Sequence, residues 1–171
     1  MTHSALSSKL WLPLASKQQS AFERFLEHDQ VAGRFFQDIL KLRSQSIRLF
    51  GGPANIVAFP FTVDRRLANI FNTMHGGAFM TMIDACSAAH FTVNSPGVRM
   101  KTECLSTQFF TAQPVGLHLI SLSWIDVGVE NRAVATVSFL NPAEVELAAS
   151  LEMIQSLGAV CRGTVVKRFS S

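Results

Sequence analysis

Tyrosine is absent from this chain, and charged residues fill only 16% of its 171 positions. With so little charge to spread over a surface, the segments that form structure must be buried on more than one side, or hide surface in an oligomer. No apolar run approaches the roughly 18 residues that a membrane-spanning helix needs, because Ser, Thr, Asn, Pro or a charge breaks each one. No membrane span is therefore expected. Cys86, Cys104 and Cys161 are odd in number and lack a CxxC spacing, which indicates neither a disulfide framework nor a zinc knuckle and fits a reducing compartment. His3, His28 and His118 have no metal-ligand spacing to one another, so neither a metal nor a redox cofactor is implied. A net charge of +3 is too small and too scattered for a nucleic-acid surface, although it would help attract an anionic small molecule.

Acidic residues are also missing before Glu23, where the chain carries Lys9 and Lys17 and is rich in Ser. That composition suits an organelle transit peptide, but the segment lacks Arg, so mitochondrial and cytoplasmic locations both stay open. The final Phe169-Ser170-Ser171 is not a peroxisomal signal.

What the chain has is apolar mass: 48% hydrophobic residues, with 14 Phe. A chain of this length can bury roughly 70% of the surface it exposes when unfolded, enough for one domain with a real core. Residues 1–19 read as a flexible N-terminus. A helical segment follows over 20–45, where Ser20 would cap a helix and Phe22, Phe25, Leu26, Phe35, Phe36, Ile39 and Leu40 recur at three-to-four spacing. The main domain spans 46–158, and 159–171 reads as a basic tail. Within the domain, Gly51-Gly52-Pro53 separates two short strand-like runs, a hairpin in which Pro60 asks for an edge or a bulge. The strongest helix runs from Gly77 to Val93, with Phe79, Met82, Ile83, Cys86, His90 and Val93 on one stripe and small residues opposite. A helix without a charged face should be buried all round. Four strands follow: Thr102 to Thr111, Leu117 to Val127, Ala133 to Leu140 and Leu147 to Leu157. The fold class is α+β: a curved antiparallel sheet wrapped around one long central helix, with extra N-terminal helices. Open sheet edges and the small-residue face of the helix favour a homodimer, or a dimer of dimers.

Asp84 is the one formal charge between His75 and Arg99. A buried carboxylate without a partner is costly and is tuned toward general-base chemistry; the alternative is a buried pair with Arg65, Arg66 or Arg99. His75-Gly76-Gly77 opens the same helix, where unpaired N–H groups and the helix dipole suit an oxyanion hole. A plain loop-to-helix turn explains the glycines equally well. Asp84 lies eight residues beyond Gly76, roughly 12 Å along a helix at about 1.5 Å per residue. If both act on one substrate, the carboxylate comes from a second copy of the chain.

The run from Asn69 to Asp84 has Asn six residues before His-Gly-Gly and Asp nine residues after that His. In this spacing it resembles the hotdog-fold acyl-CoA thioesterases of the phenylacetyl-CoA thioesterase type and their eukaryotic relatives. The resemblance covers roughly residues 47–157. It implies hydrolysis of acyl-CoA to free acid and coenzyme A, with no further cofactor. Gly76 and Asn69 would polarise the thioester carbonyl, His75 would support the asparagine, and Asp84 of a partner subunit would activate water or attack. Thr102 would place the water, although Val98 to Lys101 reads as a short insertion before its strand. Asn72 departs from the pattern, standing where many relatives have Gly. The rival readings are a non-catalytic acyl-CoA-binding hotdog domain and a hotdog dehydratase, which would need a His paired with a carboxylate on the helix. Phe71, Phe79, Phe109 and Phe110 would line an acyl pocket or belong to the core.

Overall fold

The computed structural model describes residues 10–51 and 55–170, apart from the side chains of Gln30 and Leu151. Its first strand, β1 (Trp11–Pro13), is followed by α1 (Ser16–His28), α2 (Gln30–Arg34) and a π turn over Phe35–Ile39. The start of the chain is thus ordered from β1 onward, not flexible to residue 19, because Trp11 and Leu14 are buried and β1 pairs with a later strand. The transit-peptide reading falls mainly on residues 1–9, outside those described. Ser20 lies inside α1 and does not cap it. The helix opens at Ala15, whose N–H is accepted by Gln18 Oε1 at 3.1 Å. Asp29 separates the two helical pieces, its carboxylate capping α2 by accepting from the Val31 and Ala32 N–H groups.

The expected hairpin is β2 (Arg48–Phe50) and β3 (Val57–Thr62). Since β2 meets β3 only at Val57 and Ala58, Pro60 sits where β3 has no strand partner on that side among the described residues, a position that tolerates proline. The central helix, α3, spans Gly76–Asn94, followed by β4 (Arg99–Phe109), β5 (His118–Val129) and β6 (Arg132–Leu140). Arg99 to Lys101 therefore belongs to the strand rather than preceding it, and it pairs with the end of the chain.

Two expectations fail after residue 140. The run Leu147 to Leu157 is not a strand but two short helices, α4 (Pro142–Leu147) and α5 (Leu151–Ser156). Asn141 and Ser150 cap them by accepting from the N–H groups of Ala143 and Met153, and Pro142 supplies a first-turn residue with a preset φ. Residues 159–171 are not a tail. They hold the longest-range strand, β7 (Cys161–Ser170), which pairs with β6 on one side and β4 on the other.

The seven antiparallel strands run in the order β1-β2-β3-β5-β6-β7-β4. One face packs on α3, which touches β4, β5, β6 and β7, with α1 stacked against α3. Alternation sorts the side chains: Val57, Phe59 and Phe61 join the α3 side, while Ala58, Ile120, Leu122, Trp124 and Leu140 point to the other face beneath α4 and α5. Burial of the middle strands on both faces is why their sequences lack an exposed charged face. Gly163 lets α3 come close. A Cβ there would lie 2.3 Å from Ile83 Cδ1 and 3.0 Å from the Ser106 carbonyl oxygen.

The helix itself is not buried all round. Gly77, Met80 and Thr81 are exposed and Asp84, Ala88 and Thr92 half-buried, a stripe at helical spacing along the side that the sheet leaves open. Next to it, β4 is the last strand of the sheet, with a free edge eleven residues long and most side chains exposed on both faces.

Candidate active site

The loop from Asn69 to Met74 folds back on itself before α3 begins. Asn69 Oδ1 accepts from the N–H groups of Phe71 at 2.9 Å and Thr73 at 3.2 Å, and its Nδ2 donates to Thr73 Oγ1 at 2.9 Å. Asn72, in the same loop, has φ of 56°, the left-handed region. Asn tolerates that conformation better than other residues with a Cβ, so the departure from Gly keeps the turn. One Nδ2 proton of Asn69 is left without an acceptor among the described residues.

His75 caps α3: its Nδ1 accepts from the Gly77 N–H at 2.9 Å. That places the ring proton on Nε2, and no hydrogen bond joins His75 to Asn69 among the described residues. Of the two glycine N–H groups, Gly77's is engaged, whereas Gly76's has no acceptor among the described residues. Gly76 is thus the free donor at the positive end of a nineteen-residue helix. A Cβ on it would meet the ring of Phe109 at 3.3 Å. The end of β4 therefore lies beside the start of α3.

Two turns further along α3, Asp84 is half exposed, its side chain at 48%. Its partner is none of the arginines considered from the sequence; Arg66, for one, pairs with Asp64 at 2.8 Å. Lys167 fills the role, with Nζ 2.6 Å from Asp84 Oδ1. The same ammonium donates to the Asp84 main-chain oxygen at 3.1 Å and to Thr102 Oγ1 at 2.8 Å. Thr102 in turn donates to Asp84 Oδ1 in a short hydrogen bond. Lys167 was overlooked in a segment read as a solvated basic tail, yet it is only 2% exposed. A signal was present: Cys161, Gly163, Val165 and Lys167 alternate along β7, and all four face inward.

Register explains the meeting of Thr102 and Lys167, which are directly paired across β4 and β7. A bulge between Thr102 and Cys104 then resets the β4 register, a device that re-aims side chains near sites. Asp84 Oδ2 has no partner among the described residues, and Asp84 lines a cleft of about 760 Å³ whose walls also include His28, Asp29, Ala88, Thr92 and Lys101. Burial pulls the Lys167 ammonium below the usual lysine range, and its bonds to Asp84 oppose that pull.

The structure thus gathers Asp84 and Thr102 around Lys167 at the middle of the open stripe, and Asn69, His75 and Gly76 at its N-terminal end; within one chain the two groups do not meet. Phe109 and Phe110 are exposed near the Gly76 end, Phe71 stands out in solvent, and Phe79 is core, 6.1 Å from Phe109 between ring centres. Two other side chains of α3, Cys86 and His90, are sealed in the core. Burial pushes the Cys86 thiol up to about 12. His90 is fully buried, with Nδ1 3.0 Å from Ser123 Oγ.

No family model matches the chain, and no curated protein matches it in sequence. Solved structures do. Zebra fish thioesterase superfamily member 2 matches with a TM-score of 0.59 at 17% identity, covering 82% of this chain and 94% of its own. The PaaI protein of the E. coli phenylacetic acid degradation operon matches with a TM-score of 0.62 at 16% identity, covering 92% and 96%. A Streptococcus mutans protein bound to acetyl-CoA matches with a TM-score of 0.56 at 17% identity, covering 73% and 89%. At such identities the likeness is one of architecture, and the helix cradled by the antiparallel sheet is that of a hotdog-fold protein.

Proposed function

We propose that the protein is an acyl-CoA thioesterase that works as a homodimer with two shared active sites. The observation that carries this reading is the division of labour along α3: a free N–H at Gly76 on one end, and a half-exposed carboxylate with one oxygen unpartnered at Asp84. Between them runs the open edge of β4. Its end, Phe109, lies by Gly76, and its early residue Thr102 lies by Asp84, so β4 and α3 run in opposite directions. Antiparallel pairing of two β4 edges about a two-fold axis would bring the Gly76 end of one subunit toward Asp84 of the other. It would also cover an exposed strand and the stripe of Met80 and Thr81.

In such a site the thioester oxygen takes hydrogen bonds from the Gly76 N–H and the spare Asn69 Nδ2 proton, with the helix dipole favouring the charge that develops there. Asp84 Oδ2 of the partner takes a proton from water as the water oxygen attacks the carbonyl carbon, or attacks that carbon itself. When water is the nucleophile, the carbon–sulfur bond then breaks to give free acid, and the proton held on Asp84 passes to the departing thiolate of coenzyme A; when Asp84 itself attacks, the same cleavage leaves an acyl anhydride on Asp84 that a water must hydrolyse to free acid. Thr102 has one acceptor position left after its bonds to Asp84 and Lys167, enough to hold a water. His75 holds the helix start in place by capping Gly77. The names of structures that share this fold, and the acetyl-CoA held by one of them, support the substrate class.

The test is a panel of short, long and aromatic acyl-CoAs assayed for released thiol, with Asp84→Asn as the control. Turnover by the parent and a loss of about 10²- to 10⁴-fold in kcat for the variant are expected. Tight binding of acyl-CoA with no turnover of any member would instead make the domain an acyl-CoA-binding module.

A further inference from the structure

We infer that Lys167 is the positioning residue of this site: it fixes Asp84 in one rotamer, with Oδ1 occupied and Oδ2 free. The inference rests on the reading of Asp84 as the working carboxylate and goes beyond it to a residue on the last strand.

A lysine is almost never fully buried unless paired, and this one is 2% exposed while its carboxylate partner remains half exposed. The asymmetry points to function. Two charges joined only for stability gain most when both are either dry and fully bonded or both at the surface; here the cation is sealed under α3 and the anion is left open to the cleft. An ammonium has three protons, and all three are accepted: by Asp84 Oδ1 at 2.6 Å, by Thr102 Oγ1 at 2.8 Å and by the Asp84 main-chain oxygen at 3.1 Å. None remains for a substrate, so Lys167 acts through Asp84 and Thr102 rather than on the thioester. The main-chain bond ties the turn of α3 that carries Asp84 to β7, and the two side-chain bonds set the carboxylate's rotation. Oδ1 accepts from both Lys167 and Thr102, which leaves Oδ2 as the oxygen that can take a proton.

The other charged or titratable groups around this cleft are His28 and Asp29 at the α1–α2 corner and Arg99 and Lys101 on β4. The cleft-lining residues of α3 add no charge besides Asp84 itself. Among these groups Lys167 is the cation in hydrogen-bond contact with the carboxylate. Its loss should free the carboxylate to rotate.

The experiment measures kcat and KM for Lys167→Met and Lys167→Gln between pH 5 and 9, on the acyl-CoA the parent hydrolyses best, beside D84N and D84N/K167M. Expected are a fall in kcat of about 10- to 100-fold for both single variants with KM within about threefold. D84N/K167M should be no slower than D84N. Met matches the length of the lysine stem and Gln keeps a donor, so if K167M does not fold, K167Q is read by the same criteria. A variant whose kcat drops only in proportion to lost folded protein overturns the inference, as does an undiminished effect of K167M in the D84N background. Inactive D84N beside fully active Lys167 variants would sink this inference alone, whereas active D84N would sink the reading of Asp84 with it.

Discussion

Gly163→Ala sets a methyl group where α3 already lies. The added Cβ would fall 2.3 Å from Ile83 Cδ1, 2.9 Å from Ile83 Cγ1 and 3.0 Å from the main-chain oxygen of Ser106. Ile83 is fully buried on the sheet-facing side of α3, and the Ser106 carbonyl belongs to the neighbouring strand, so neither can yield freely. Overpacking a dense core by a methyl costs about 1–3 kcal/mol. The alanine recovers about 0.5–1 kcal/mol of that by restricting the unfolded chain. Taking the middle of each range, the net loss is about 1.2 kcal/mol, which lowers the melting temperature by roughly 2–5 °C for a chain of this size. Because Ile83 immediately precedes Asp84, and Gly163 shares a strand face with Lys167, the same push should spread the Asp84–Lys167 contact and lower kcat. The assays are thermal unfolding at fixed protein concentration and thiol release. An unchanged or raised melting temperature would refute the seat of α3 on β7 described above.

Acid should weaken the fold through His90. Burial holds its pKa down, from 6.5 to about 4, so below 6.5 the unfolded chain takes up a proton that the folded chain refuses. Stability is therefore full above pH 6.5 and is lost as pH falls toward 4, by roughly 3 kcal/mol at about 1.36 kcal/mol per pH unit. Urea midpoints at pH 7, 5.5 and 4.5 measure the slope, which His90→Gln should flatten. Cys86, buried and with its thiol pushed up to about 12, should resist iodoacetamide in the native protein at pH 8, and Cys86→Ala should keep at least half of the parent's kcat; mass spectrometry and the thiol assay check both.

Much of this was legible in the chain. Periodicity placed α3 to within a residue at each end, because its apolar stripe is long and its ends are marked by His-Gly-Gly and by Asn-Ser-Pro-Gly. Spacing singled out Asn69, Gly76 and Asp84, and separation along one helix argued that they serve different halves of a site. The failures have physical causes. Leu147 to Leu157 is apolar enough for a strand, and only the caps at Asn141 and Ser150, each a weak local signal, mark the two short helices. The last strand was hidden by Arg162, Lys167 and Arg168, since a basic terminus is usually solvated. The burial of Lys167 depends on Asp84, 83 residues away in the chain, and no local pattern encodes a partner at that distance. The same gap left Asp84 without its counter-ion in the sequence reading.

The shared site makes a prediction that no single-chain mechanism does. On the unbroken helix α3, Gly76 and Asp84 are about 12 Å apart along the axis, and the loop of Asn69 sits beyond the Gly76 end. Asn69→Ala and Asp84→Ala should each be nearly inactive alone, since each removes one half of every site. In a mixed dimer one site collects both defects and the other collects neither. Random pairing makes about half of the dimers mixed, each with one intact site of two, so about a quarter of the parent's activity should return. Co-expression of the two variants, and refolding of the two purified proteins together, are independent ways of forming the mixture. Native mass spectrometry counts the mixed dimers, and the recovered rate should scale with their number. A mixture that contains mixed dimers yet stays as inactive as its components would mean that Asn69 and Asp84 act within one subunit or not at all, and the antiparallel β4 pairing would lose its functional argument.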